Sequence, residues 1–168
     1  TAEEYLEMIR LKTAVLLAAS LKIGARLGGA SVEDADRLYD FGMHIGVAFQ
    51  LKDDLLDVYG NAKVFGKNIG GDILCNKKTY MLIKALEHAN ADQHNQLNSW
   101  INAETFQPAE KIAAVTELYD RIGVKAVCEN KILEYSNRAM ESLAAVSIAE
   151  EKKEELKKII ENLIHREV

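Results

Sequence analysis

Three carboxylates, Asp53, Asp54 and Asp57, crowd into five residues of the run Gly46-Val-Ala-Phe-Gln-Leu-Lys-Asp-Asp-Leu-Leu-Asp-Val-Tyr-Gly60. On a helix of 3.6 residues per turn, with Asp53 at the origin, Asp57 falls at about 40°, Gln50 at about 60° and Asp54 at about 100°. All four polar side chains then share about one third of the helix circumference. Like charges at that spacing repel, and more so when part-buried, so the arrangement calls for a divalent metal or a cationic partner. Hard oxygen donors with no Cys or His in the run point to Mg²⁺ rather than zinc. Lys12 sits at helical spacing with Tyr5, Ile9, Leu16, Ala19 and Ile23, which places an ammonium in an apolar stripe. Such an ammonium either snorkels to water or takes an anion. With Lys67 and Lys77 following the acidic run, these residues describe a diphosphate site: carboxylates for Mg²⁺, lysines for the remaining phosphate oxygens. Gly42, Gly46 and Phe49 lie within about 40° of the Asp53 direction, and the small residues leave room. That room suits either a closely packed neighbouring helix or an elongated apolar ligand.

Helices must position these groups. A helical pattern over residues 2–28 ends at Gly28-Gly29, and Ser31 with Asp34 then starts a second helix running to about Gly60. Residues 60–76 hold Gly60, Gly66, Gly70 and Gly71 without periodicity and read as a basic loop. A third helix is expected from Lys77 to about Asn90, a fourth over about 92–102, and a fifth opened by Gln107-Pro108 and stopped near Gly123. A sixth covers 124–146. Ser147-x-x-Glu150 reads as a capping box for a last helix carrying Leu156, Ile159, Ile160 and Leu163 on one stripe. No strand signal competes, and no linker or repeat divides the chain, so residues 1–168 are expected to form a single all-α helical domain.

Composition narrows the function classes. A net charge of −5 argues against a nucleic-acid partner, but local lysines and bound metal leave a phosphate ligand open. Cys75 and Cys128 stand far apart, which fits a reduced, cytoplasmic protein without disulfides. The longest apolar run, Ala14 to Ala19, is too short for a membrane span. With no initiating Met and a helical pattern already running at Tyr5, the chain is expected to be part of a longer protein.

Phe49-Gln50-x-x-Asp53-Asp54-x-x-Asp57 resembles the second aspartate-rich motif of the trans-isoprenyl diphosphate synthases, the polyprenyl synthetase family. Tyr5-x-x-x-Ile9-x-x-Lys12-Thr13-Ala14 resembles that family's Lys-Thr helix. Phe65-Gly66-Lys67-x-x-Gly70-x-Asp72-Ile73, followed by Lys77-x-Thr79, resembles its loop and next helix. The motifs stand in the family's order within residues 5–86; the rest matches in helical pattern and length.

The resemblance implies the C-terminal half of an all-α isoprenoid-synthase bundle. In that fold two aspartate-rich helices hold Mg²⁺ against an allylic diphosphate, whose ionisation gives a cation attacked by isopentenyl diphosphate. Carried over by motif, Asp53 would ligate Mg²⁺ directly, with Asp54 and Asp57 completing the acidic site directly or through water and Asp72 acting behind them. Lys12, Lys67 and Lys77 would bind diphosphate oxygens, while Thr13 and Gln50 would line the cavity near the reacting carbons, their oxygen dipoles steadying the developing cation. The family's first aspartate-rich motif and arginine pair have no counterpart here, since the sequence holds no second Asp-Asp pair. The isolated chain is therefore expected to be inactive and to associate, as a homodimer in the full protein. A terpene cyclase would pair its DDxxD with an Asn/Ser/Glu metal triad, which is not evident. A non-catalytic subunit would carry degraded aspartates, and these are intact.

Overall fold

The first helical pattern is interrupted inside the Lys-Thr segment. In the computed structural model, which describes residues 1–61 and 69–165, α1 (Ala2–Ile9) passes into a π-helical turn (Arg10–Ala14) before α2 (Val15–Leu27). A π turn admits an extra residue, which rotates everything after it relative to an unbroken α-helix. Burial records the slip: Tyr5 and Ile9 are buried, and the next buried positions are Ala14 and Ala18. The stripe expected from the sequence is therefore broken. Lys12 is exposed on the π turn rather than embedded among apolar groups, and Leu16 and Ile23 face outward, 75% and 59% exposed.

Ser31 Oγ accepts the Asp34 N–H at 3.0 Å and opens α3 (Val32–Tyr59), which carries the acidic run near its C-terminal end. Residues 62–68, including Lys63, Phe65, Gly66 and Lys67, lie outside the described residues. The region read as a loop contains a one-turn helix, α4 (Gly71–Leu74), introduced by Gly70 in the left-handed conformation with φ 84°. Next, α5 (Tyr80–His88) starts later than the sequence suggested, because Thr79 takes the N-cap position and its hydroxyl accepts the Leu82 N–H. Lys77 thus belongs to the turn between α4 and α5. A reciprocal Asn90–Gln93 capping box opens α6 (Ala91–Ile101). Pro108 begins α7 (Pro108–Ile122), and left-handed Gly123 separates it from α8 (Val124–Ala144).

The capping box expected at Ser147 does not form. The Ser147 N–H donates to Asp34 Oδ1 at 2.8 Å and its Oγ accepts from Arg37, while Glu150 accepts from Lys153 and Lys157. A partner more than a hundred residues away replaces the local one. Buried Lys153 also donates to the Ala144 carbonyl, capping the end of α8. A 3₁₀ turn (Glu150–Lys152) then leads into α9 (Glu154–His165). No strand occurs among the described residues, and no helix there is long and apolar enough to cross a membrane.

The described residues pack as two compact units, one gathering Thr1–Tyr5 with those of 53–129 and the other Leu6–Lys52 with residues 130–165. In the first, α4, α5 and α6 all pack on α7, around Met81, Leu97, Val115 and Leu118. In the second, the room beside the glycines of α3 is filled by the π turn and α2. A Cβ at Gly46 would stand 2.6 Å from Ala14 Cα, and one at Gly42 would stand 2.7 Å from Ala18 Cα. Of the two uses the sequence allowed for this room, close helix packing is the one observed. Gly24, by contrast, has nothing within 4 Å of its Cβ direction. Gly46→Ala is expected to destabilise this chain by about 1–3 kcal/mol, since a backbone atom must give way. Gly24→Ala should stabilise α2 by about 0.5–1 kcal/mol. Opposite shifts of the two denaturant midpoints check this.

Candidate functional site

Near the end of α3, neighbouring aspartates meet different surroundings. Asp54 is 2% exposed, and the hydroxyl of buried Tyr5 donates to its Oδ2. Lys77 Nζ donates to its Oδ1 at 3.1 Å and to Asp72 Oδ2 at 2.9 Å. One ammonium is thus suspended between two carboxylates, one from α3 and one from α4. Asp57 serves α4 as well: its Oδ2 accepts the Asp72 N–H at 2.9 Å and it also bonds the Gly71 N–H, placing a carboxylate at the positive end of that short helix. Asp53 is part-exposed. All of these residues belong to the first unit.

Burial pushes the Asp54 carboxyl up to about 6, against the pull of Lys77. Asp57 is also raised, by burial first, with the amide bond from Asp72 opposing. For Lys77, burial acts to lower the value, yet its bond to Asp72 and the charge of Asp54 hold it above the ordinary lysine value.

The three aspartates do not form the single acidic face that their spacing suggested. Asp54 is turned into the protein and Asp57 is engaged by α4, and among the described residues no three His, Cys, Asp or Glu side chains converge to hold a metal ion. This arrangement still fits Mg²⁺, which is commonly bound by one or two carboxylates together with phosphate oxygens and water. Asp53 and Asp57, hard oxygen donors with part-accessible side chains, are the residues able to supply that share.

In the second unit, Thr13 on the π turn donates its hydroxyl to Gln50 Oε1 of α3 at 3.1 Å. Lys12 is solvent-exposed on the same turn. The structure therefore joins Thr13 with Gln50, and Lys77 with Asp54 and Asp72, while Lys67 lies outside the described residues. Sequence reasoning missed the role of Tyr5 as partner to Asp54 across 49 residues of chain. The signal was present, because a tyrosine in an apolar stripe must find a partner for its hydroxyl.

Residues 1–119 match the polyprenyl synthetase family. The chain is 36% identical over 167 residues to the short chain isoprenyl diphosphate synthase of Methanothermobacter thermautotrophicus, covering 99% of this chain and 50% of that relative. It superposes on a geranylgeranyl pyrophosphate synthase from Corynebacterium glutamicum complexed with isoprenyl diphosphate and magnesium, with TM-score 0.88 and 30% identity over 99% of this chain and 47% of that one. It is also similar to a polyprenyl synthase from Caulobacter crescentus complexed with calcium and isoprenyl diphosphate, with TM-score 0.87 and 30% identity over 98% of this chain and 49% of that one. The chain spans about half the length of the relatives it matches, and its architecture is the all-α isoprenoid-synthase fold.

Asp54 makes metal-free stability depend on pH. Its folded value of about 6 lies above the ordinary 3.8, so the fold favours the protonated acid. That contribution is complete below the ordinary value and is lost as pH rises through about 6. Relative to Asp54→Asn, the wild type should lose on the order of 2 kcal/mol between pH 4 and 7, measured by urea unfolding in chelator. A difference that stays flat over that window would contradict the burial argument.

Proposed function

Because the chain belongs to the polyprenyl synthetase family, whose match covers residues 1–119, we propose that the protein containing it is a trans-prenyltransferase condensing an allylic diphosphate with isopentenyl diphosphate. The observation that carries this reading is Lys77 held between Asp54 and Asp72, beside the acidic run. An ammonium oriented in advance by two carboxylates has little freedom left to lose when a diphosphate oxygen replaces one of them. Lys77 binds the diphosphate in this way, with Lys12 and Lys67 supplying further charge. Asp53 and Asp57 hold Mg²⁺, buried Asp54 completes the acidic site behind them, and together with Asp72 it keeps Lys77 in place. Bound Mg²⁺ supplies the positive charge that stabilises the departing diphosphate. The Thr13 hydroxyl and the Gln50 amide oxygen, bonded to each other at 3.1 Å, are the oxygen dipoles that would steady the developing allylic cation. The fit of the site to a divalent ion is supported by the magnesium and calcium complexes of similar proteins.

Leu16, Ile23 and Leu27 repeat at helical spacing on α2 and are all exposed, Leu27 to 84%, which favours coverage by another polypeptide surface and a homodimeric enzyme. Cys75 is exposed and Cys128 buried, and the two are not joined to each other, as suits a reducing cytoplasm.

Titration of the complete protein with a non-hydrolysable allylic diphosphate should show binding that requires Mg²⁺ and is abolished by Asp53→Ala. Lys77→Ala should weaken it by about 10–100-fold, the loss of one charge-assisted contact. Binding without condensation would indicate a non-catalytic subunit, and binding indifferent to Mg²⁺ would remove the basis of the proposal. Sedimentation of this chain should show self-association that Leu16→Glu with Leu27→Glu reduces; a wild-type monomer across the accessible concentration range would count against the apolar-surface argument.

A further inference from the structure

We infer that Lys111 is a positioning residue for Lys77: its buried ammonium holds Asn76 in the left-handed conformation from which the next residue, Lys77, reaches Asp54 and Asp72. This rests on the reading of Lys77 as a diphosphate-binding lysine. Lys111 lies in the first turn of α7, outside every motif singled out in the sequence, and is 1% exposed. Its Nζ donates to Asn76 Oδ1 at 2.7 Å and stands 4.2 Å from the centre of the Phe106 ring. Asn76, with φ 50°, is the single non-glycine residue with positive φ among the described residues. Its other amide atom is used too, Nδ2 donating to the Ile101 carbonyl at the end of α6 at 2.9 Å. Both ends of the Asn76 side chain are therefore fastened, one to α6 and one to α7.

That fastening sits at the base of the Lys77 arm. The Asn76 N–H donates to Ile73, Lys77 N–H to the Asp72 carbonyl at 2.9 Å, and Thr79 N–H to the Lys77 carbonyl at 2.8 Å, so the turn is tied step by step to α4. A small cavity of about 20 Å³, room for one water, is lined by Asp72, Asn76, Lys77 and Lys111 together. Packing alone gives no reason for an ammonium here. A buried cation is costly, and an apolar side chain of similar length would fill the same volume at least as favourably. What an apolar side chain cannot do is bind the amide oxygen and keep a residue with a Cβ in a conformation that L-residues avoid.

The test uses the complete protein, with inorganic pyrophosphate and Mg²⁺ as the probe. Lys111→Met should lower pyrophosphate affinity about tenfold and raise amide hydrogen exchange over residues 75–79, with the thermal midpoint lowered only modestly, since loss of a buried cation offsets part of the cost of the unmatched Asn76 oxygen. In a double-mutant cycle, adding Lys77→Ala to Lys111→Met should cost much less than Lys77→Ala alone, since the two act through one contact. Lys12→Ala should add in full. If Lys111→Met does not fold, Asn76→Gly carries the same test, because it keeps the left-handed backbone accessible while deleting both side-chain bonds. Unchanged exchange over 75–79, or fully additive losses, would overturn the inference. Faster exchange there combined with no effect of Lys77→Ala on pyrophosphate would instead overturn the diphosphate reading of Lys77.

Discussion

A single buried carboxylate organises the acidic end of α3. Asp54 is almost wholly removed from water, so each of its oxygens needs a partner, and these come from opposite directions in the chain: Tyr5 from α1 and Lys77 from the turn after α4. Removing one partner would leave a buried charge or a buried hydroxyl unmatched, which is why such networks tolerate little rearrangement. The consequence for chemistry is orientation. Lys77 is drawn onto Asp54 and Asp72, and the amide end of α4 is drawn onto Asp57.

The same economy appears in how the surrounding turn is built. Residues 70–79 contain two left-handed residues, a one-turn helix and a helix cap, so their hydrogen bonds cannot come from a long regular element. Short-range backbone bonds at Asn76, Lys77 and Thr79 supply part of them, and side chains on neighbouring helices supplement these: Asp57 from α3 and, at the Asn76 side chain, Lys111 from α7. Packing of Ile112 against Gly70 closes the approach, since any Cβ at Gly70 would meet that isoleucine at 2.7 Å.

In the second unit the decisive feature is the π turn. By admitting one extra residue at the Lys-Thr segment, it moves Ala14 and Ala18 onto the face of α2 that meets Gly46 and Gly42, where only small side chains allow the two backbones to approach. The same rotation puts Lys12 on the exposed side, and Thr13 lies on this turn bonded to Gln50. π turns of this kind recur at functional sites, and here the turn sets the side-chain directions that an unbroken α-helix would have scrambled.

Taken by itself, the sequence determined most of the helices and put forward the residues of the candidate site. Periodicity, Gly28-Gly29, Ser31, Pro108 and Gly123 act within a few residues, so they place α2, α3 and α7 without knowledge of neighbours. The crowding of Asp53, Asp54 and Asp57 was likewise legible as chemistry awaiting a cation. Tertiary structure decided what local rules cannot reach: which aspartate is buried, that Ser147 serves Asp34 instead of capping its own helix, and that a lysine from α7 props Asn76. It also decided the phase of α2, because a π turn breaks the very periodicity from which a sequence-based reading starts. The physical reason is common to all four. Burial and the pairing of buried polar groups depend on residues dozens of positions away, whose distance in the fold is not encoded in any local spacing.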